Sequence, residues 1–485
     1  MIDPAALPAF EAPAADAATW TFYDEAALGT RLNVQITADR GDLALNAARA
    51  ARAEIDRLNT VFNSRMAGSE LVALNSSSEF TASPELFAAI AEAEAWRVAT
   101  NGAFSPRLGY VLNAWRAISG EPPSPAILTD LASSARVANV ELVAATRTII
   151  RPRDVAFALD GFAKGWIVDA ALKAARAAPG VIGALVDIGG DIATGGKAPA
   201  NGWMIGIPDP MLPFDNAPLV TSASLESGAI ATSGRGPRDR IIGGQRFSPT
   251  LSPFTGWPVE HTISASIIAG SAATAEALAT AGLVLPHGDM PDLIARTPNA
   301  GARLTLRDGS SFTTGLWNGR EQPEPLRIQS PGAWPAGWQA LATFTAPRRQ
   351  LIRDPDFRSP YVAMWITDQK NKPVRTLILV GKRAEWQKDN YIWWQQNRDA
   401  TGRLMSTRSM STSGSGTYNV FWDGIDDLGK RVQAGTYILH VETSRERGKH
   451  TYRQLAMDFS TARRFAQELA PTEEGGGIKV TYDHY

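Results

Sequence analysis

The sequence predicts an α+β domain followed by a small antiparallel β-sandwich domain. Short β-like runs alternate with alanine-rich helical runs over residues 20–320, and this mixed order is typical of α+β folds. A proline-rich stretch over residues 321–336, EQPEPLRIQSPGAWPA, then marks a linker. Over residues 337–465, alternating apolar and polar runs are separated by turns rich in Asp, Gly, Lys and Asn, which predicts a sandwich. A chain of 485 residues is also too long to fold around a single hydrophobic core of ordinary size.

Composition excludes several kinds of chemistry. The chain has no cysteine, which removes disulfides, thiolate metal sites and thiol nucleophiles. Five histidines leave little room for a histidine-rich metal centre. The 48 Lys and Arg residues balance 49 Asp and Glu residues, so no overall charge attracts nucleic acid. No apolar stretch is long enough to cross a bilayer. Hydroxyls, carboxylates, lysines and backbone groups remain as candidates.

The predicted elements of the first domain follow from hydrophobic periodicity. Residues 1–19 are rich in Ala and Pro and predict a flexible leader without the features of a signal peptide. Apolar residues at three- and four-residue spacing predict helices that turn Leu58, Leu86, Ile90 and Trp96 inward. The predicted helices are Ala47–Asn59, Pro84–Thr100, Asp160–Ala178 and Ser271–Leu285, with a strand over Val181–Asp187 and a hairpin formed by Val137–Leu142 and Arg147–Arg151.

The second domain is predicted from period-two alternation. Its strands are expected over Tyr361–Thr367, Val374–Val380, Tyr418–Trp422 and Gly435–Glu442. Residues 466–485 contain EEGGG and are expected to form a loose tail.

Two helices carry the first candidate groups. Glu276 and Thr280 lie four residues apart in SAATAEALATAG, so a helix projects both from one face. A carboxylate and a hydroxyl suit Mg²⁺, although an alanine-rich packing helix with a solvated glutamate gives the same pattern. In DGFAKGWIVDAAL, Asp160 is a candidate N-cap, and Lys164 falls in the first turn, where a phosphate meets the helix dipole. An ordinary exposed lysine is the alternative.

Two glycine-containing segments are weaker candidates. The strand that ends in Gly189 and Gly190 allows backbone N–H groups to face a ligand, followed by Asp191. A simple turn explains the same pair of glycines. Ser233 and Gly234 offer a hydroxyl and an amide.

The order of these segments resembles the ApbE-type FAD:protein FMN transferases, over roughly residues 20–290. The matching motifs are Leu28-Gly29-Thr30, Ser69-Glu70 with Asn75, Gly102-Ala103-Phe104-Ser105-Pro106, Gly161-Phe162-Ala163-Lys164-Gly165-Trp166-Ile167-Val168-Asp169, Gly189-Gly190-Asp191, Thr232-Ser233-Gly234, Pro253-Phe254-Thr255-Gly256-Trp257-Pro258 and Ala275-Glu276-Ala277-Leu278-Ala279-Thr280.

The resemblance implies a two-lobed domain that binds FAD and one Mg²⁺. Such proteins transfer FMN to a Thr or Ser hydroxyl of a target protein and release AMP, while some relatives hydrolyse FAD. The resemblance implies catalytic roles for Glu276 and Thr280, and a metal site formed by these two side chains with the carbonyl group of Ala163. It assigns the FAD site to Leu28, Gly29, Thr30, Ser69, Glu70, Lys164, Gly189, Gly190, Asp191, Ser233 and Gly234. It also implies a periplasmic or envelope location. The second domain resembles an envelope β-domain sometimes fused to these transferases, and its Trp422–Tyr437 segment resembles an immunoglobulin-like repeat, which implies a docking role.

Two departures from the family pattern leave alternatives open. Position 276 is Glu where the family usually has Asp, and Pro249 stands where the family commonly has a histidine before P-x-T-G-x-P. If that histidine assists deprotonation of the acceptor, its loss costs about 10²–10⁴ in rate. The alternatives are an FAD-binding or FAD-hydrolysing envelope protein with weak or no transferase activity, and a structural envelope protein dominated by its β-domain.

Overall fold

The structure is a computed structural model of the chain. It describes residues 18–118, 120–199, 202–212, 214–236, 239–318, 321–323, 334–335, 337–345, 361–380, 390–397, 407–408, 417–445 and 449–484. The predicted leader lies almost wholly outside these residues, as does most of the predicted linker. Within the described part of the chain, no helix is both long and apolar enough to cross a bilayer.

The first domain is built on a large antiparallel sheet. Its strands lie in the order β1 (Ala18–Ala27), β2 (Thr30–Ala38), β6 (Val181–Ile188), β7 (Asp191–Gly196), β10 (Gly228–Gly234), β13 (Thr262–Ala269), β14 (Gly301–Leu306) and β15 (Ser311–Gly315). Smaller sheets comprise β3 (Glu79–Thr81), β5 (Thr148–Ile150) and β4 (Glu141–Val143); β11 (Arg240–Ile242) and β12 (Gln245–Phe247); and β16 (Glu321–Pro323), β9 (Leu219–Leu225), β8 (Trp203–Pro208) and β20 (Thr407–Arg408).

The helices of the first domain are α1 (Gly41–Phe62), α2 (Glu70–Asn75), α3 (Pro84–Ala99), α4 (Gly109–Arg116), α5 (Pro125–Val137), α6 (Ala163–Ala177), α7 (Ala272–Val284) and α8 (Met290–Ala295), with a 3₁₀ turn at His287–Asp289. The predicted inward residues Leu58, Leu86 and Ile90 are fully buried, whereas Trp96 is only partly buried. The sequence therefore located α1, α3, α6 and α7, whereas α2, α4, α5 and α8 were not predicted.

The large sheet is buried on both faces. Along β6, Ala184, Val186 and Ile188 pack into the core formed with α1, α6 and α7. Leu185 points to the other face, into a smaller core with Trp203 of β8. This period-two division separates a helical layer from the small sheet β16–β9–β8–β20. The result is an α+β domain, as the sequence predicts, and its elements form three layers.

The second domain consists of two four-stranded antiparallel sheets. One has the order β21 (Thr417–Trp422), β17 (Trp338–Thr345), β25 (Ile478–His484) and β24 (Phe465–Leu469). The other has the order β19 (Pro373–Val380), β18 (Tyr361–Asp368), β22 (Thr436–Ser444) and β23 (His450–Asp458). Apolar residues from both sheets form one core, and the short helix α9 (Tyr391–Asn397) packs outside it.

Three predictions about elements are corrected. The expected loose tail instead contains β24 and β25, and Tyr482 of β25 is 1% exposed in the core. The apolar residues of β25 alternate over only seven positions, and the preceding EEGGG segment led to the prediction of a loose tail. The expected hairpin strand from Val137 begins only at Glu141, because Val137 ends α5. Residues 321–323 of the expected linker form β16.

A buried histidine makes the second domain sensitive to acid. His440 is fully buried, stacks on Trp365 with a ring-centre distance of 4.8 Å, and contacts the hydroxyls of Thr367 and Tyr452. Burial lowers the pKa of His440 to about 4. Between pH 6.5 and 4 the unfolded chain therefore binds a proton that the folded chain does not, and stability falls as the pH falls.

We expect His440→Gln to weaken this loss of stability on acidification, because glutamine keeps polar contacts but does not titrate. Urea unfolding of the full chain at pH 7 and pH 4.5, followed by tryptophan fluorescence, measures the effect. His484→Gln, at an exposed position, is the matched control and should behave like the wild type. Equal acid destabilisation of the wild type and His440→Gln would contradict the assignment.

Candidate functional site

The centre of the site is the contact between α6 and α7. Glu276 is buried at 2% exposure, so the interpretation of a solvated glutamate is wrong. One carboxylate oxygen of Glu276 accepts the backbone N–H of Gly165 at 2.7 Å, and the other lies 3.2 Å from the ammonium group of Lys164. Burial raises the pKa of Glu276, and the charge of Lys164 and the N–H group of Gly165 oppose this rise. The carboxylate thus ties one helix to the start of the other.

Lys164 bridges two buried carboxylates. Its ammonium group also donates to the carboxylate of Asp191, which is 4% exposed in its side chain. Lys164 itself is 18% exposed, so it is not the ordinary solvated lysine that the sequence left open. Placing one cation between two acids in a poorly hydrated site offsets the cost of burying both charges. It also leaves a net negative cluster at the start of α6.

Close packing lets these groups meet. A Cβ atom at Gly165 would lie 2.3 Å from the carbonyl oxygen of Ala272, and one at Gly161 would lie 2.9 Å from the hydroxyl of Thr280. Both glycines therefore admit α7 where any side chain would exclude it. Thr280 lies one turn beyond Glu276, and its hydroxyl faces the carbonyl oxygen of Gly161 at 3.5 Å. The carbonyl that faces Thr280 thus belongs to Gly161, two residues before the predicted Ala163.

The N-terminus of α7 is held by Asp169, whose role the sequence did not indicate. Its two carboxylate oxygens accept the backbone N–H groups of Ala272 and Ala273 at 2.8 and 2.9 Å. These N–H groups have no partner within the helix, and a negative charge there is favourable to the helix dipole. Burial nevertheless raises the pKa of Asp169 to about 6. Its position four residues after Gly165, on the same face of α6, was the available signal.

Two turns predicted to line the flavin site flank this cluster. Leu28 and Gly29 form the β1–β2 turn with positive φ values of 52° and 76°. Gly189 and Gly190 form the β6–β7 turn, with φ values of 61° and 98°. The N–H group of Gly190 donates to Asp187, and that of Gly189 donates to the carbonyl group of Arg31. Since these amides already have partners in the protein, the turn contributes chiefly Asp191, contrary to the expected exposed amides.

The other predicted residues lie in structural contacts. Ser69 caps α2 by accepting the N–H of Val72, and Glu70 accepts the N–H and hydroxyl of Ser83 at the start of α3. Ser233 and Gly234 form the end of β10 opposite β13. Thr30 is fully buried at the start of β2. Asp160 is not the predicted N-cap, because Phe162 occupies that position and Asp160 pairs with Arg116.

An open cleft of about 810 Å³ lies beyond the end of α7. It is lined by Trp257 and Pro258 of the P-x-T-G-x-P segment, by Val284, and by His261 and His287. Val284 lies one turn beyond Thr280 in α7, so the cleft is lined by the helix that carries Glu276 and Thr280. The Nε2 atom of His261 lies 3.1 Å from the carbonyl oxygen of Leu285. Because a carbonyl oxygen only accepts, the neutral form of His261 that makes this contact carries its proton on Nε2, and its Nδ1 atom is then an acceptor.

Comparisons with known proteins identify the family. The ApbE family profile matches residues 28–304, more than half of the chain. The chain belongs to the ApbE family. A second profile, "Predicted periplasmic protein (DUF2271)", matches residues 348–476.

Curated relatives carry the name FAD:protein FMN transferase. The Rhodobacter capsulatus relative is 30% identical over 319 residues, which cover 62% of this chain and 58% of the relative. The chain thus spans less than two thirds of that relative's length. The Treponema pallidum relative is 27% identical over 307 residues, covering 59% of this chain and 84% of the relative.

Solved structures support the fold. The crystal structure of the ApbE protein from Thermotoga maritima is 26% identical and has a TM-score of 0.57, covering 63% of this chain and all of that one. The apo form of the flavinyl transferase ApbE from Pseudomonas stutzeri is 20% identical with a TM-score of 0.53, covering 64% of this chain and 98% of that one. The three-layer domain is therefore the ApbE fold.

We expect Asp169→Asn to destabilise the protein by about 1–3 kcal/mol, because the amide offers one acceptor where the carboxylate offers two and leaves an N–H group of α7 unpaired. Chemical denaturation at pH 8, where Asp169 is ionised, measures the loss. Asp130→Asn, at an exposed acid of α5, is the matched control. A variant as stable as this control would contradict the capping role.

Proposed function

We propose that the chain transfers FMN from FAD to a Thr or Ser hydroxyl of a target protein and releases AMP. The observation that supports this most strongly is the buried cluster of Lys164, Asp191 and Glu276 beside Thr280, in a chain of the ApbE family. Phosphoryl transfer depends mainly on positioning and on neutralising charge. A partly buried lysine at the start of a helix, with oxygen donors beside it, suits both needs.

The oxygen donors fit a hard divalent cation. Glu276 supplies a carboxylate, Thr280 a hydroxyl and Gly161 or Ala163 a backbone carbonyl, and Mg²⁺ prefers such ligands together with substrate phosphate oxygens. We propose that these groups hold Mg²⁺ when FAD is bound. The cation then supplies neutralisation of the pyrophosphate charge. Lys164 adds a second positive charge from the first turn of α6.

The proposed transfer forms one bond to phosphorus and breaks another, and it needs no oxidant or reductant. The acceptor hydroxyl oxygen attacks the phosphorus of the FMN moiety, and the bond from this phosphorus to the AMP oxygen breaks. AMP leaves with the electron pair, and the acceptor loses its hydroxyl proton. We assign that proton to Nδ1 of His261, since Pro249 stands where the family commonly has a histidine and His261 lines the cleft at the end of α7, the helix that carries Thr280.

FAD hydrolysis is the second candidate, and Pro249 is the residue that favours it. If no side chain activates an acceptor hydroxyl, water takes its place and the products are FMN and AMP. A weaker version is a protein that only binds FAD. The match of the second domain to a predicted periplasmic family supports a location in the periplasm, with this domain as a docking module.

We expect Glu276→Gln to lower transfer by about a hundredfold or more, because the amide keeps an acceptor for the Gly165 N–H but loses the charge that would hold the cation. The assay incubates the full chain with FAD, Mg²⁺ and a Thr-containing acceptor domain. Mass spectrometry detects the acceptor increased by FMN less one water, and chromatography detects AMP. FAD binding by the variant confirms that it is folded. Neither adduct nor AMP from the wild type would contradict catalysis, and AMP without adduct would establish hydrolysis.

We expect His261→Gln to slow adduct formation by about 10²-fold while FAD binding is unchanged, because glutamine offers no basic nitrogen. His287→Gln, in the same cleft, is the matched control and should react at the wild-type rate. Equal rates for His261→Gln and His287→Gln would exclude His261 as the base.

A further inference from the structure

The first domain covers an edge strand of the second domain. Strand β21 lies at the edge of its sheet, and residues 214–217 of the first domain, here called the docking segment, lie along it. The backbone N–H of Asp215 donates to the carbonyl oxygen of Asn419 at 2.8 Å, and its carboxylate accepts the N–H of Asn419 at 2.8 Å. The Asn216 amide makes the same exchange with Phe421, at 2.8 and 2.9 Å. The docking segment therefore satisfies backbone groups that an edge strand leaves unpaired.

The covering is reciprocal. The two-residue strand β20, which lies between α9 and β21 in the sequence, pairs in parallel with β8 of the first domain. The ring of Phe214 packs 5.1 Å from that of Phe421. Each domain thus adds backbone hydrogen bonds to a sheet of the other. This exchange fixes the docking segment to the second domain.

The docking segment is also tied to the proposed flavin site through one side chain. The carboxylate of Asp215 accepts a charge-assisted hydrogen bond from the guanidinium group of Arg31, and its side chain is only 1% exposed. The guanidinium carbon lies 5.2 Å from the ring centre of Tyr418 in β21. Arg31 follows Thr30 directly, and its carbonyl accepts the N–H of Gly189 at 3.0 Å. Arg31 is therefore bonded to both turns that flank the Lys164 cluster.

We propose that Asp215 is a positioning residue, through which the second domain fixes the Leu28–Thr30 turn and the Gly189–Gly190 turn for FAD. The buried carboxylate of Asp215 requires a positively charged partner, so the position of Asp215 fixes the position of the Arg31 guanidinium group. The second domain is then a structural part of the flavin site rather than only an independent docking module. This inference rests on the proposed function, because it takes these turns to bind FAD.

The test is FAD affinity of the full chain, measured by quenching of flavin fluorescence. Asp215→Asn keeps one oxygen for the Asn419 N–H and removes the charge that holds Arg31. We expect its Kd for FAD to rise about three- to tenfold, the usual size of such couplings. Turnover at saturating FAD should be unchanged, because the groups around Glu276 are untouched. Asn216→Ala, which removes two hydrogen bonds to β21 without contacting Arg31, should bind FAD as the wild type does.

A double variant separates positioning from a general loss of stability. Arg31→Gln should weaken FAD binding, and Asp215→Asn added to it should weaken binding no further. An unchanged Kd in Asp215→Asn, or an equal rise in Asn216→Ala, would overturn the inference while the proposed function stands. A wild-type chain that binds no FAD would contradict the proposed function, and the inference with it.

Discussion

The buried carboxylate of Glu276 is the constraint on which the site depends. It joins α7 to the start of α6 through the Gly165 N–H, and it holds Lys164 at the same time. A buried charge of this kind is stable only with such partners. The glycines that admit α7 and the aspartate that caps it serve the same junction. The packing of two helices and the proposed phosphate chemistry therefore rely on one set of atoms.

The junction between the domains likewise combines structural contacts with a link to the proposed flavin site. Edge strands of both domains are covered by the partner domain, so neither exposes that edge to other chains. The ion pair of Asp215 and Arg31 lies where this covering meets the β1–β2 turn. A change in the docking of the second domain is thereby transmitted to backbone beside the proposed flavin site. Such transmission needs no movement of the helices.

Much of this arrangement could be predicted from sequence, because it depends on local spacing. Four-residue spacing placed Glu276 and Thr280 on one helix face, and a continuous apolar run located β6. Period-two alternation located four of the eight strands described in the second domain, namely β18, β19, β21 and β22. Long-range partners could not be predicted in this way. The spacing shows only that Asp169 shares a face of α6 with Gly165; it does not identify the helix that Asp169 caps, a hundred residues later, or show that Asp215 meets Arg31. Strand β25 was missed because its alternation is short and follows a glycine-rich turn. The exposed amides expected at Gly189 and Gly190 were wrong because acceptors from Arg31 and Asp187 lie beside them.

One junction of α6 and α7 joins the helices of the first domain, and we propose that the same junction holds the cation that phosphoryl transfer requires. A crystal of the full chain with FAD and Mn²⁺, which binds oxygen ligands much as Mg²⁺ does, tests it directly through anomalous scattering. We expect a peak within bonding distance of the Glu276 carboxylate and the Thr280 hydroxyl, with Lys164 turned toward the pyrophosphate. Bound FAD with its manganese peak elsewhere, and Lys164 still between Asp191 and Glu276, would contradict it.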